Sequence, residues 1–441
     1  MISWSAFFYS NGLDLRRGLF CLLLIFIVTS ALAQDSTSLR KDSTCVDKQK
    51  DLPDLFRQWF HKPPKKPSVS TGSLLLVPVL SSNPANGFIF GVAGQYAFRT
   101  KGANSLYSSL NGSLTYTTKN QLIFQLKNNA YLANNKFFVS GDWRFLIFSQ
   151  PTYGLGTNAP DDGILKFQYG VNGINVEDDS LIQPMKFNQV RFHQTISRSV
   201  GGALYLGFGY HLDYYYSIQD EKLDTIAPDV LITSHYAYSI KYGFNPKKYV
   251  RSGLSLNLVM DTRDNLVNSY KGYFLNVNYR LDPKFLGSER TGNMLGVEWR
   301  SFHPLSKMNP RHSMTFWFLG TLSPAGDMPY LALPALGYDQ RGRAGRGYAQ
   351  GRYRGSNYLY AESEYRFPIS PCGGVLGGVV FLNANTADKP DKSVRLFDYV
   401  VPGYGFGLRL MIDKKSRTNL QVDFAFGKKA GGVYFGAAET F

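Results

Sequence analysis

The residues best equipped for chemistry gather in residues 336–355, where arginine and glycine nearly alternate. Arg343, Arg346, Gly347, Tyr348, Arg352 and Arg354 precede a run in which Glu362, Glu364 and Arg366 share one parity. Glycine loses more backbone freedom on ordering than any other residue, so a solvated surface loop gains nothing from such a density of it. A guanidinium removed from water needs carboxylate partners, and glycine lets backbone pass close to a wall. The chemistry implied is charge pairing inside an enclosure: a long loop folded back into the lumen of a membrane β-barrel.

Other chemistries fit the residues less well. Glu362 and Glu364 share a strand face and suggest an acid/base pair, but with Arg366 beside them they read better as a charge ladder. Asp261, Arg263 and Asp264 suggest a cation site, yet at a strand end they read better as a salt-bridged turn. His193, His211 and His303 lack metal spacing and are read as structural or lumen-lining. No phosphate-binding loop, dinucleotide fingerprint, HExxH or GxSxG pattern appears in a supporting context, so no enzyme, cofactor or metal is expected.

The elements that must hold this loop are strands. Leu254, Leu256, Leu258 and Met260 alternate with Ser255, Asn257 and Asp261, and Leu420, Val422, Phe424 and Phe426 alternate with Asn419, Gln421 and Asp423. Sixteen strands are predicted, beginning near Ser73, Asn86, Ser105, Asn120, Lys136, Met185, Gly202, Val250, Lys271, Thr291, His312, Ser356, Gly373, Val401, Arg417 and Gly431. Short turns alternate with long loops at residues 150–184, 217–248 and 323–355, so the long ones face outward and the short ones the periplasm. Alternation alone fits a soluble sandwich as well as a barrel. Aromatics at strand ends (Tyr116, Tyr131, Trp143, Tyr210, Tyr279, Trp299, Trp317) and the terminal Phe441 favour the barrel.

The N-terminus supplies an export route. Arg16 and Arg17 precede an apolar run over residues 18–30, and Ala31-Leu32-Ala33 forms a small-residue cleavage site, so residues 1–33 are read as a signal peptide. Residues 34–72 are polar, with a short helix predicted over 51–60, and are read as a periplasmic linker at the barrel rim or in the lumen. Residues 73–441 form the barrel. Outside the leader lie only Cys45 and Cys372, which are far apart, lack metal or catalytic context, and are read as free thiols. The net charge of +16 is spread along the chain with no nucleic-acid fold signature, which points to anionic lipid or an anionic lumen cargo and away from nucleic acid.

Arg346-Gly347-Tyr348, then Gly351 to Arg354 and the strand Glu362 to Pro368, resemble the sixth-loop motif of the BamA/TamA outer-membrane assembly family, also called the bacterial surface antigen family. Asp261-Thr-Arg263-Asp264-Asn265 with Gly272 resembles a second signature of that family. The run from Gly405 through Arg409 and Asp423 to Phe441 is similar to its closing strands and terminal-aromatic insertion signal. The resemblance implies an all-β, closed, antiparallel transmembrane barrel in the outer membrane of a Gram-negative bacterium. It also implies that Arg346 lies in the lumen against acidic wall residues. Asn383 stands where the family's wall aspartate is expected, so the partners implied here are Glu362, Glu364 or Asp423, with Arg409 in the same lumen set. Assembly members carry periplasmic POTRA domains that residues 34–72 cannot hold, which implies an accessory periplasmic protein in their place.

Function follows as an expectation: insertion or export of outer-membrane or surface proteins or lipids through a seam. There a short edge near Phe441 pairs weakly with residues 73–79, and Pro78 offers no ladder donor. The competing expectation is a passive anion-preferring channel or a structural barrel.

Overall fold

The computed structural model describes residues 45–63, 72–83, 87–100, 105–158, 165–166, 175–176, 183–226, 232–340, 342–437 and 439–441. The leader predicted over residues 1–33 lies outside them. One sheet of sixteen strands dominates: β1 (Gly72–Asn83), β2 (Gly87–Arg99), β3 (Tyr107–Thr117), β4 (Leu122–Leu132), β5 (Phe137–Ser149), β6 (Met185–Gly201), β7 (Leu204–Asp220), β8 (Tyr249–Asp261), β9 (Gly272–Asp282), β10 (Gly292–Pro304), β11 (Ser313–Leu322), β12 (Asn357–Pro368), β13 (Leu376–Ala387), β14 (Val401–Asp413), β15 (Thr418–Gly427) and β16 (Ala430–Ala437). Each pairs antiparallel with its sequence neighbours, and each begins within three residues of the predicted start.

Exposure decides between sandwich and membrane barrel. On β8 the apolar Leu254 and Leu256 are 55% and 58% exposed, whereas the polar Ser255 and Asn257 are 3% and 5% exposed. Polar inside and apolar outside is the inverse of a water-soluble sheet, and it suits strands whose outer face meets hydrocarbon. Tyr404, Phe406 and Leu408 on β14, and Leu74 and Leu76 on β1, repeat the pattern. Two of the predicted interfacial aromatics depart from it: Tyr131 and Trp317 point inward and are fully buried. Their polar tips explain why, since Trp317 Nε1 donates to Glu298 at 3.0 Å and the Tyr131 hydroxyl bonds Asp261.

The ring is not closed by hydrogen bonds: among the described residues no ladder joins β16 to β1. The two edges face a cleft of about 640 Å³ lined by Leu75, Val77 and Val79 on one side and Val433, Phe435 and Ala437 on the other. Beyond β16 the chain turns inward, so that Glu439, Thr440 and Phe441 are buried in the lumen. This corrects the expected place of Phe441. Its ring lies 5.2 Å from Trp317 and 6.3 Å from Phe302, and the Arg366 guanidinium sits over it at 5.3 Å, so it does not lie along the outer edge.

The two ends of the barrel differ. At the long-loop end, a helix α2 (Ser234–Tyr242), capped by Thr233 and by left-handed Gly243, packs with loop residues 328–333 into an aromatic plug around Tyr215, Tyr238, Tyr249 and Tyr330. At the short-turn end lies a helix α1 (Leu52–Trp59), begun by an Asp51–Asp54 capping box. There Cys45 is disulfide-bonded to Cys372, Cα atoms 5.0 Å apart, which corrects the reading of both as free thiols. Backbone bonds from Cys45 N to Met308 O and from Lys50 N to Gly373 O, each 2.8 Å, lay this segment on the turns and bring the cysteines together. An oxidising compartment suits such a bond.

Candidate functional site: the lumen loop and its carboxylate wall

Between β11 and β12 the chain enters the lumen. Arg346 is 3% exposed there, and its guanidinium is shared among three carboxylates that are each 0% exposed. Nη1 donates to Asp423 at 2.8 Å, while Nη2 donates to Glu362 at 2.5 Å and also to Glu364. Glu362 and Glu364 reach it because they are two residues apart on β12, and Asp423 because β15 presents it on the same inner face. The guanidinium also stacks 3.5 Å over the Phe381 ring of β13.

The cluster is an extended one. Asp423 accepts from Arg409 on β14, whose Nε also donates to Glu439 at 2.7 Å, and Arg366 Nε donates to Glu364 at 2.7 Å. Arg346, Arg366 and Arg409 thus stand among Glu362, Glu364, Asp423 and Glu439, a buried network in which every carboxylate meets a guanidinium. Arg343, three residues before Arg346, donates to the backbone carbonyls of Glu439 at 2.7 Å and Ala437 at 3.1 Å, so the same loop grips the inward-turned tail.

Each neighbour in the motif has a geometric reason. Gly347 has φ of 101°, and a Cβ there would come within 2.8 Å of the Phe426 carbonyl oxygen, so only glycine lets the loop lie against β15. Tyr348 donates its hydroxyl proton to Pro402 O and accepts from Lys428 N at 2.8 Å, tying the loop to β14 and to the β15–β16 turn. Asn383, on β13, donates from Nδ2 to the Arg346 carbonyl at 3.0 Å; the residue that replaces an expected aspartate therefore holds the arginine's backbone.

Two arginines of the motif lie elsewhere. Arg352 stacks over Tyr153 at 4.8 Å and Tyr353 at 5.0 Å and is not among the donors to Glu362, Glu364 or Asp423. Arg354, 2% exposed, donates from Nη1 to the carbonyls of Tyr330 at 3.1 Å, Leu331 at 3.0 Å and Leu333 at 3.3 Å. The expectation that buried loop arginines take carboxylates fails here, because the one-turn 3₁₀ segment Tyr330–Ala332 and Leu333 after it turn their carbonyls toward it.

Asp261, Arg263 and Asp264 do not converge. Arg263 is bidentate to Asp261 at 2.9 and 2.6 Å, whereas Asp264 accepts from Arg417 at 2.6 Å in the β14–β15 turn. The β8–β9 turn carrying them folds into the lumen, with Leu266 and Val267 buried and Asn268 Nδ2 donating to Arg417 O at 3.2 Å. Among the described residues no cluster of three or more metal-ligating side chains occurs.

Sequence reasoning missed a second charged belt on the opposite wall. Asp142, Arg191, Asp213, Arg280, Asp282 and Arg251 form a continuous chain of ion pairs at 2.5–3.6 Å, with His193 on Asp213 at 2.8 Å. All of these but Asp282 line a pocket of about 280 Å³, which loop residues such as Leu331, Tyr338 and Asp339 also border. Shared strand parity on β5 to β9 was the available signal.

The Omp85 superfamily domain matches residues 165–441, a span that takes in β6 to β16, the lumen loop and the whole carboxylate wall. Among solved structures, BamA from Haemophilus ducreyi lacking POTRA domains 1–3 is similar with a TM-score of 0.48 and 15% identity, over 83% of this chain and 69% of that one. CdiB from Acinetobacter baumannii is similar with a TM-score of 0.47 and 14% identity, over 83% of this chain and 59% of that one. No curated protein sequence matches. With more than half of its length, including the arginine loop and the strands it binds, matched by that one domain, this chain belongs to the Omp85 superfamily of non-enzymatic outer-membrane β-barrels.

Proposed function

We propose that this barrel assists insertion or export of outer-membrane or surface proteins or lipids through the seam between β1 and β16. The observation that carries the reading is the pair of unladdered edges facing the 640 Å³ cleft. An unpaired edge is a template for strand addition by a client segment, and Pro78 removes one amide donor from β1. The loop supports the same reading: Arg346 ties β12 to β15, and Arg343 holds the chain just beyond β16, so the loop fixes one side of the seam. Outer-membrane lipid is the solvent of the open edge, and client polypeptides and a periplasmic accessory protein are its proposed partners.

The test is a set of cysteine pairs across the seam, such as Leu76→Cys with Val433→Cys, in a strain depleted of the native protein. Oxidative crosslinking is expected to abolish the restoration of the outer-membrane proteome that uncrosslinked protein gives. Full function in a quantitatively crosslinked barrel sinks the seam mechanism. In that case steady anion-selective conductance in planar bilayers, rising in Arg346→Ala, identifies a passive channel.

A further inference from the structure

The helix α1 is amphipathic, but it faces the barrel with its polar side. Asp54 pairs with Lys414 Nζ at 2.5 Å, and Asp51 accepts from Lys414 N at 3.3 Å, both in the β14–β15 turn. The acids of the helix are thereby consumed by the barrel. Its aromatic side is left outward: Phe56, Trp59 and the capping Phe60 are 49%, 77% and 66% exposed, with Arg57 and Lys62 beside them. In a water-filled space such a cluster would be a liability.

Position explains it. The Cys45–Cys372 bond and the contacts to the turns hold α1 at the short-turn, periplasmic end, against β14. The outer face of β14 is the lipid-facing series Tyr404, Phe406 and Leu408, each more than half exposed. Lys414, which the helix grips, follows directly on the short-turn end of that same strand. An aromatic face flanked by cations is the composition of a helix that lies in an interface, and tryptophan is favoured at that level.

We infer that α1 is an interfacial foot of the barrel: Phe56, Trp59 and Phe60 insert into the periplasmic leaflet while Arg57 and Lys62 meet anionic headgroups. The disulfide and the Lys414 contacts hold the foot at a fixed place on the rim. The occupant of this surface is thus the phospholipid leaflet rather than a protein.

The test uses the full chain in proteoliposomes of phosphatidylcholine with phosphatidylglycerol, a fraction of the lipid carrying bromine high on the acyl chain. The emission of Trp59 is isolated as the difference between wild type and Trp59→Phe, whose equal heat-modifiable gel shift certifies the fold. At least half of that difference emission should be quenched by the brominated lipid. Arg57→Glu combined with Lys62→Glu should reduce this quenching about two-fold or more in the anionic vesicles and leave it unchanged in pure phosphatidylcholine. Trp59 emission indifferent to bromine overturns the inference. So does emission that becomes shielded only when a periplasmic extract is added, which assigns the face to a protein partner. Unchanged quenching by the charge-reversed variant in anionic vesicles overturns the headgroup contact.

Discussion

Arg346 and Arg354 sit eight residues apart in one loop, and both are almost completely buried, yet they are satisfied in opposite ways. Arg346 is neutralised by carboxylates from β12 and β15, so its charge binds the loop to the wall. Arg354 gives its Nη1 to three carbonyls and its Nη2 to the Tyr338 hydroxyl of the same loop, so it binds the loop to itself. A buried cation can therefore either join two elements or fold one. Which it does depends on whether its acceptors come from distant strands or from a nearby helical turn.

The contrast can be broken by substitution. Arg346→Ala removes the one cation shared by three buried carboxylates, and breaking such a set typically costs about 3–5 kcal/mol. The expected result is loss of the heat-modifiable folded band at a much lower urea concentration, together with loss of function. A midpoint equal to wild type would show that the wall does not depend on the loop. Arg354→Ala takes one donor from each of three carbonyls, at roughly 1–3 kcal/mol in total, but the effect should stay in the loop. Faster proteolysis within residues 323–356 with an unchanged urea midpoint is expected, and a matching fall in the midpoint would erase the distinction.

Smaller changes sharpen it. Asn383→Asp installs the acid that the family resemblance leads one to expect, yet here the amide nitrogen donates to the Arg346 carbonyl. A carboxylate cannot donate, so a loss of about 1–2 kcal/mol is expected, and a gain in the urea midpoint would mean that Arg346 recruits the new acid instead. Arg352→Ala removes a guanidinium stacked on two rings at a half-buried site away from the Arg346 cluster, a stacking worth under about 1 kcal/mol, and should leave the urea midpoint near wild type.

The strands were legible because a membrane barrel writes its two faces in alternate residues, and sixteen starts could be placed from that signal alone. Glu362 and Glu364 could be assigned an inner face by the same parity. The rest lacked a local signal. Cys45 and Cys372 are separated by 327 residues, so only the fold brings them together. The inward turn after β16 depends on Arg343, Arg409 and Asn419 collecting Glu439, a contact of three distant segments. The carbonyl cage of Arg354 exists only after a 3₁₀ turn has formed upstream of it. The helix α2 was readable in hindsight from Thr233 and Gly243, its two caps, within a stretch whose length suggested only a loop.

The disulfide also has a temporal meaning. A ribosome delivers Cys45 first, and its partner follows only after β1 to β12 have been made. For most of its biogenesis the emerging polypeptide therefore carries Cys45 without its partner, its thiol open to mixed disulfides with whatever oxidant or chaperone meets it. The intramolecular bond cannot exist until the turn after β12 has been delivered. A chain truncated before that turn keeps the reactive thiol, so thiol labelling tells unfinished molecules from those that have closed the bond.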